Sequence, residues 1–180
     1  MLLNGGPINS APLNGAALLA RFDLQPKQGK KSIIQVASLA DRALIERLHK
    51  YPNDLRVIDR RLFEEIVAEI FLGFGYQVEL TQRTRDGGKD IIAVKETEIN
   101  LRFLIECKRP DPGNAIGVSA VRELYGVKID DGATKAILAT TTHLSQDAKI
   151  FTEKHRWELE GKEYDGILEW ISNYIKQTSR

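Results

Sequence analysis

Asp90, Glu106 and Lys108 are residues of this chain whose types and spacing could do chemistry together. Asp90 opens an apolar run, residues 90–94, and a second run, 101–105, closes on Glu106-Cys107-Lys108. Alternate side chains of a strand share a face, so Glu106 and Lys108 point one way and Cys107 the other. If the polar segment 95–100 is a hairpin turn, the start of the first strand lies beside the end of the second, and Asp90 sits next to Glu106 and Lys108. Two carboxylates and an ammonium at one exposed sheet end form a costly cluster, which makes sense around a divalent cation. Carboxylate oxygens favour a hard ion, Mg²⁺ or Mn²⁺, and the layout suits hydrolysis of a phosphodiester.

The surrounding text supplies elements to hold these groups. Residues 57–72 read as a helix with Phe63, Ile66, Val67, Ile70, Phe71 and Phe74 on one stripe. Glu64 falls roughly 80° from the stripe's centre and Glu65 roughly 180°, so Glu64 borders the buried face and Glu65 meets water. Gly73 and Gly75 end the helix, and 76–81 reads as a strand leading into a basic loop, 82–89, that contains Asp86-Gly87-Gly88. After the hairpin, Asp111-Pro112-Gly113-Asn114 marks a loop; a helix over 118–129, a strand over 135–140 and a helix capped by Ser145 follow. An extended segment, 157–164, and a final amphipathic helix complete the chain. Hairpins followed by a crossover predict a mixed sheet flanked by helices, an α/β domain.

Upstream, residues 1–32 carry the turn-rich near-repeat Gly6-Pro7-Ile8-Asn9-Ser10 and Ala11-Pro12-Leu13-Asn14-Gly15, and 37–50 reads as a helix. The expected division is a partly flexible N-terminal arm with a short helix, 1–55, and a main domain, 56–180.

Composition narrows the function classes. With 26 basic and 25 acidic residues the net charge is +1, so any attraction to nucleic acid must be local. No apolar run approaches the roughly 20 residues that span a bilayer, no secretory leader is evident, and a single cysteine fits a reducing cytoplasm. Walker A and dinucleotide patterns are missing, which argues against a nucleotide cofactor. Cys107 faces the core without a histidine partner, and His49, His143 and His155 lack metal-ligand spacing. Trp157 and Trp170 are expected to pack in the core. Arg83, Arg85, Lys89, Arg109 and Arg122 would crowd one rim and form a phosphate-contacting patch.

Asp-x(15)-Glu-x-Lys resembles the motif of the PD-(D/E)xK nucleases. Together with Phe63-Glu64-Glu65, Gly75-Tyr76-Gln77-Val78, Arg85-Asp86-Gly87-Gly88-Lys89-Asp90, Ile105-Glu106-Cys107-Lys108 and Val121-Arg122-Glu123-Leu124, the chain resembles the Mrr-type restriction endonuclease catalytic domain from about residue 57 onward. The resemblance implies an αβββαβ core and a Mg²⁺-dependent endonuclease acting on double-stranded DNA, with Mn²⁺ as substitute and 5′-phosphate and 3′-hydroxyl products. It implies Asp90, Glu106 and the Cys107 backbone carbonyl as metal ligands, and Glu64 reaching the metal through water or a second ion. Lys108 would hold the scissile phosphate or the attacking water, and both roles stay open. A homodimer stays open as well. The rival readings are a nuclease-like module that binds DNA or a partner with little cleavage, and a structure-specific repair or junction nuclease.

Overall fold

The acid-bearing helix begins where a side chain takes over an orphan backbone donor: the Asp59 carboxylate accepts the Leu62 N–H at 2.9 Å. The computed structural model describes residues 34–81 and 88–179, all within one unit, Ser32–Arg180. The loop segment 82–87, with Arg83, Arg85 and the start of the Asp86-Gly87-Gly88 turn, lies outside the described residues, as does the turn-rich segment 1–33.

Helix α1 (Ile34–Lys50) is followed by a 3₁₀ turn (Pro52–Arg56) and α2 (Arg60–Gly73). The helix expected from residue 57 starts at 60, because Pro52 opens a tight turn ahead of it and Asp59 provides the cap. Strands β1 (Gln77–Leu80), β2 (Ile91–Lys95) and β3 (Leu101–Lys108) come next, then β4 (Ala115–Ile116) and α3 (Val118–Asp131). Strand β5 (Lys135–Thr140), β6 (His143–Leu144), α4 (Gln146–Lys154), β7 (Leu159–Lys162) and α5 (Tyr164–Thr178) complete the chain. The main sheet runs β1-β2-β3-β5-β7, antiparallel across its first three strands and parallel across its last three. This is the expected mixed sheet flanked by helices.

Period-two alternation divides the core between the two faces. Ile137 and Ala139 of β5 join Ile105 and Cys107 of β3 under α1, α2 and α5. Ala136 and Leu138 turn the other way, with Val121 and Leu124 of α3 and Ala148 of α4. Ile45 and Leu48 of α1 are fully buried, so this helix is part of the packed core. Trp170 is 9% exposed and stands edge-on to Phe71, as expected of a core residue. Trp157 departs from expectation at 83% exposure. It lies in the turn between α4 and β7, where Arg156 lies over its ring.

Candidate active site

Strand register brings the acidic residues together. Ile91 pairs with Ile105, which sets Asp90 across from Glu106 at the end of the hairpin. The ladder then continues through a side chain. The Asp90 N–H donates to the Ile105 carbonyl at 2.9 Å, and the Asp90 carboxylate accepts the Cys107 N–H at 2.7 Å. One oxygen of Asp90 thus replaces a strand carbonyl, fixing the side chain beside Glu106-Cys107-Lys108. Glu106 and Lys108 share a face and form an ion pair, whereas Cys107 is fully buried on the opposite face. Burial, followed by the nearby carboxylates, pushes the Cys107 thiol well above its ordinary value, so it is no ready nucleophile.

A cleft of about 430 Å³ opens here, lined by Arg60, Lys89, Asp90, Glu106, Lys108 and Glu123 together with Gly88. Gly88 sits at φ +80, a conformation that favours glycine, and hands the chain to Asp90. The expectation of an exposed strand end is corrected by burial. Glu106 is 5% exposed because it lies on the face covered by α3, and Glu64 is 1% exposed. Glu64 does not line the cleft. It lies against Arg60, whose Nε reaches Glu64 at 3.1 Å and whose Nη2 reaches Asp90 at 3.3 Å. Arg61 holds the other Glu64 oxygen at 3.0 Å and also pairs with Glu65 at 3.2 Å.

These surroundings set the charge states. Burial, then the Asp90 charge, raises the Glu64 carboxyl above the usual range despite both arginines. Burial likewise raises Glu106, against the pull of Lys108, and Asp90 and Glu123 push the same way. Burial works against the Arg60 charge, but Asp90 and Glu64 outweigh it and hold the guanidinium more firmly protonated. Anionic groups at low exposure are therefore only partly balanced.

The described residues of the basic rim are dispersed. Lys89 lines the cleft while its ammonium pairs with Asp131 at 2.7 Å. Arg122 lies over the Phe151 ring and is not part of the cleft lining. Arg109 follows Lys108 directly and has its Nε buried without a hydrogen-bond partner among the described residues. Two cleft residues escaped the sequence reading. Arg60 stands one helical turn before Glu64, a spacing that favours an ion pair on any helix and so gives no distinctive signal. Glu123 lies within a segment that carries the resemblance, but which side of α3 faces β3 is a tertiary fact.

Among the described residues, no three His, Cys, Asp or Glu side chains are gathered closely enough to enclose a metal ion. The donors nevertheless suit one in kind. Among the described residues Glu106 Oε2 is buried with no hydrogen-bond partner, Asp90 is locked in place by a backbone donor, and the side-chain groups able to ligate a cation are carboxylate oxygens. Cations occupy these carboxylates: Arg60 pairs with both Asp90 and Glu64, and Lys108 pairs with Glu106.

A family model described as restriction endonuclease, the Mrr-type catalytic domain, matches residues 55–171. An uncharacterised protein, y4cE of Sinorhizobium fredii, is 26% identical over 135 residues, 74% of this chain; the chain spans about a third of that relative's length, 34%. The DNA modification-dependent restriction endonuclease AspBHI superposes with a TM-score of 0.52 at 18% identity, over 83% of this chain and 43% of its own. The MspJI restriction endonuclease, in complex with a 27-mer oligonucleotide, superposes with a TM-score of 0.47 at 14% identity, over 86% and 39%. The AspBHI match shows a shared fold, and the family model, which spans well over half of the chain, shows membership: this chain belongs to the restriction endonuclease family, with the Mrr-type catalytic domain.

Proposed function

We propose that the chain is a Mg²⁺-dependent DNA endonuclease of the Mrr-like type, cutting phosphodiester bonds of double-stranded DNA to leave 5′-phosphate and 3′-hydroxyl ends. The observation that carries this reading is the buried Glu106 oxygen, without a hydrogen-bond partner among the described residues, at the end of a hairpin where Asp90 is clamped by the Cys107 N–H. A buried acceptor with no donor is costly, and a hard cation is the ligand that would satisfy it. Asp90, Glu106 and the Cys107 carbonyl would hold Mg²⁺ or Mn²⁺, with Glu64 acting through water. A cation held there would polarise water and offset charge building on the phosphate.

The remaining work falls to the chain. Lys108 stands on the strand face of Glu106 and lines the cleft, so once parted from Glu106 its ammonium can hold the scissile phosphate or the attacking water. Arg109 flanks the same hairpin end, as does Lys89 once parted from Asp131, and both would meet neighbouring phosphates, with Arg83, Arg85 and Arg122 as further candidates for the patch. The nuclease domain is read as 56–180, with α1 packed onto it. Among the described residues no helix is long and apolar enough to cross a membrane, and we place the protein in the cytoplasm, where the single thiol Cys107 stays reduced. The name of AspBHI suggests that base modification matters to this chain too. Supercoiled plasmid, methylated and unmethylated, incubated with Mg²⁺ or EDTA, is expected to yield nicked and linear forms only with metal. Asp90→Asn is expected to abolish cutting while DNA binding remains. DNA binding without metal-dependent nicks on either plasmid would leave a binding module in place of a nuclease.

A further inference from the structure

Arg60 holds two acidic groups from different elements at once. Its Nε lies 3.1 Å from Glu64 on α2, and its Nη2 lies 3.3 Å from Asp90 at the entrance to β2. Each carboxylate has a second anchor that does not depend on Arg60. Asp90 keeps the Cys107 N–H through its other oxygen, and Glu64 keeps Arg61 through its other oxygen. Withdrawing Arg60 would therefore bare one oxygen on each residue without releasing either side chain. Both bared oxygens face the position that the guanidinium now takes. Arg60 is also able to leave: its side chain is 50% exposed, while Glu64 and Asp90 are 2% and 13% exposed. Lys108 does not share this task, because it is engaged with Glu106.

We propose that Arg60 is a positioning residue that stands in for the divalent cation in the metal-free site. It keeps Glu64 and Asp90 aimed at a common point, and binding of the cation displaces the guanidinium, Asp90 then meeting the metal directly and Glu64 through water. This rests on reading the cleft as a metal site and adds a residue and a competition that the motif does not contain. The guanidinium offers the carboxylates positive charge in a planar fork but brings none of the small radius that gathers oxygens around one centre. The acids are consequently aligned yet not drawn together, which matches the lack of a tight three-ligand cluster among the described residues.

The test compares wild type with Arg60→Ala and Arg60→Lys, using Mn²⁺ and Mg²⁺ alone as probes. Calorimetry is expected to show Arg60→Ala binding the ions about fivefold more tightly, the scale of one half-exposed ion pair removed from the competition. Its melting temperature in EDTA is expected to fall, and the rise on adding metal to exceed that of wild type. Arg60→Lys, which keeps charge without the fork, should lie between. In an Asp90→Asn background the EDTA loss from Arg60→Ala should shrink, since one of its two partners is gone. Both the tighter binding and the lower metal-free melting point are required. Unchanged or weaker ion affinity, or an unchanged melt in EDTA, overturns the proposal. A guanidinium serving DNA alone would show itself that way, with weaker DNA binding and ion affinity unmoved. The two readings fail separately. Metal binding with these shifts but no cleavage removes the nuclease reading alone, and metal-dependent cleavage without the shifts removes the role of Arg60 alone. No ion binding in any variant removes both.

Discussion

Asp131 and Glu106 are carboxylates of similar burial, 11% and 6% exposed at the side chain, in opposite electrostatic settings. Asp131 ends α3, where the helix dipole disfavours an anion, and it is met by cations on two sides. Arg102 reaches it through Nε at 2.7 Å and Nη2 at 3.1 Å, and Lys89 at 2.7 Å. The Arg102 fork, followed by Lys89, holds its carboxyl down to about 2. Burial pushes Glu106 up, with one lysine on one oxygen, no hydrogen-bond partner for the other among the described residues, and Asp90 and Glu123 nearby. The first cluster is complete and ties α3 to β3 and to the loop before Asp90. Among the described residues the second is satisfied only in part, so its carboxyl is shifted up where that of the first is held down. The two clusters are joined at Lys89, which lines the cleft but spends its charge on Asp131.

Exchanging charge for amide at each cluster should pull stability and activity in opposite directions. Glu106→Gln carries the largest expected effect, loss of cleavage by about 10³ or more, because an anionic donor is removed from the reacting centre. Its metal-free melting temperature should rise slightly, as a carboxylate that burial disfavours is neutralised. A plasmid assay with a melt in EDTA checks both, and wild-type cutting by this variant would collapse the distinction between the clusters. Lys108→Ala should slow single-turnover cleavage by about 10²–10³, the scale of one transition-state contact, while calorimetry still registers Mg²⁺ or Mn²⁺ binding. If the variant loses metal binding yet cuts normally at saturating metal, Lys108 belongs with the supporting framework.

Asp131→Asn should do the reverse. The expected cost is about 2 kcal/mol, discounted because Arg102 is 40% exposed, or a melting point lower by roughly 5 °C, with cleavage altered less than about tenfold.

The pH dependence has opposite signs at the two places. A depressed carboxyl contributes stability above its ordinary range and loses it as pH falls through the folded value, so the gap between wild type and Asp131→Asn should close between about pH 4 and pH 2. A raised carboxyl favours folding below its ordinary range and forfeits that as pH climbs through the elevated value. Glu106→Gln should therefore gain on wild type as pH rises from the acid side toward neutrality. Parallel urea titrations across pH resolve the two, and slopes of the same sign would break the comparison.

The hairpin and the gathering of its charged residues were legible because they are local. Asp90, Glu106 and Lys108 lie on two strands joined by a short turn, so period-two alternation and hairpin register suffice to bring them together. The stripe of α2 was legible for the same reason, and it ranked Glu64 as the more buried of the two acids, although Glu64 is fully buried and Glu65 only partly exposed. Strand β5 and the Ser145 cap, whose hydroxyl accepts the Ala148 N–H at 3.3 Å, also follow from neighbouring residues. The pairing of β4 with β6 was not visible, since two-residue strands carry no period. Trp157 was misjudged because a large aromatic side chain indicates burial only on average, and its turn leaves it in solvent.

Local periodicity and turn chemistry in the sequence determined the longer elements, the mixed sheet and the acid-lysine hairpin. How deeply Glu64 and Glu106 are buried, Arg60's reach across to Asp90, the arrival of Glu123 at the cleft and the capture of Lys89 by Asp131 were decided only by tertiary structure. Each depends on the packing of a helix against the sheet, which joins residues far apart in the chain, and a short-range pattern carries no information about which rotation of the helix that packing selects.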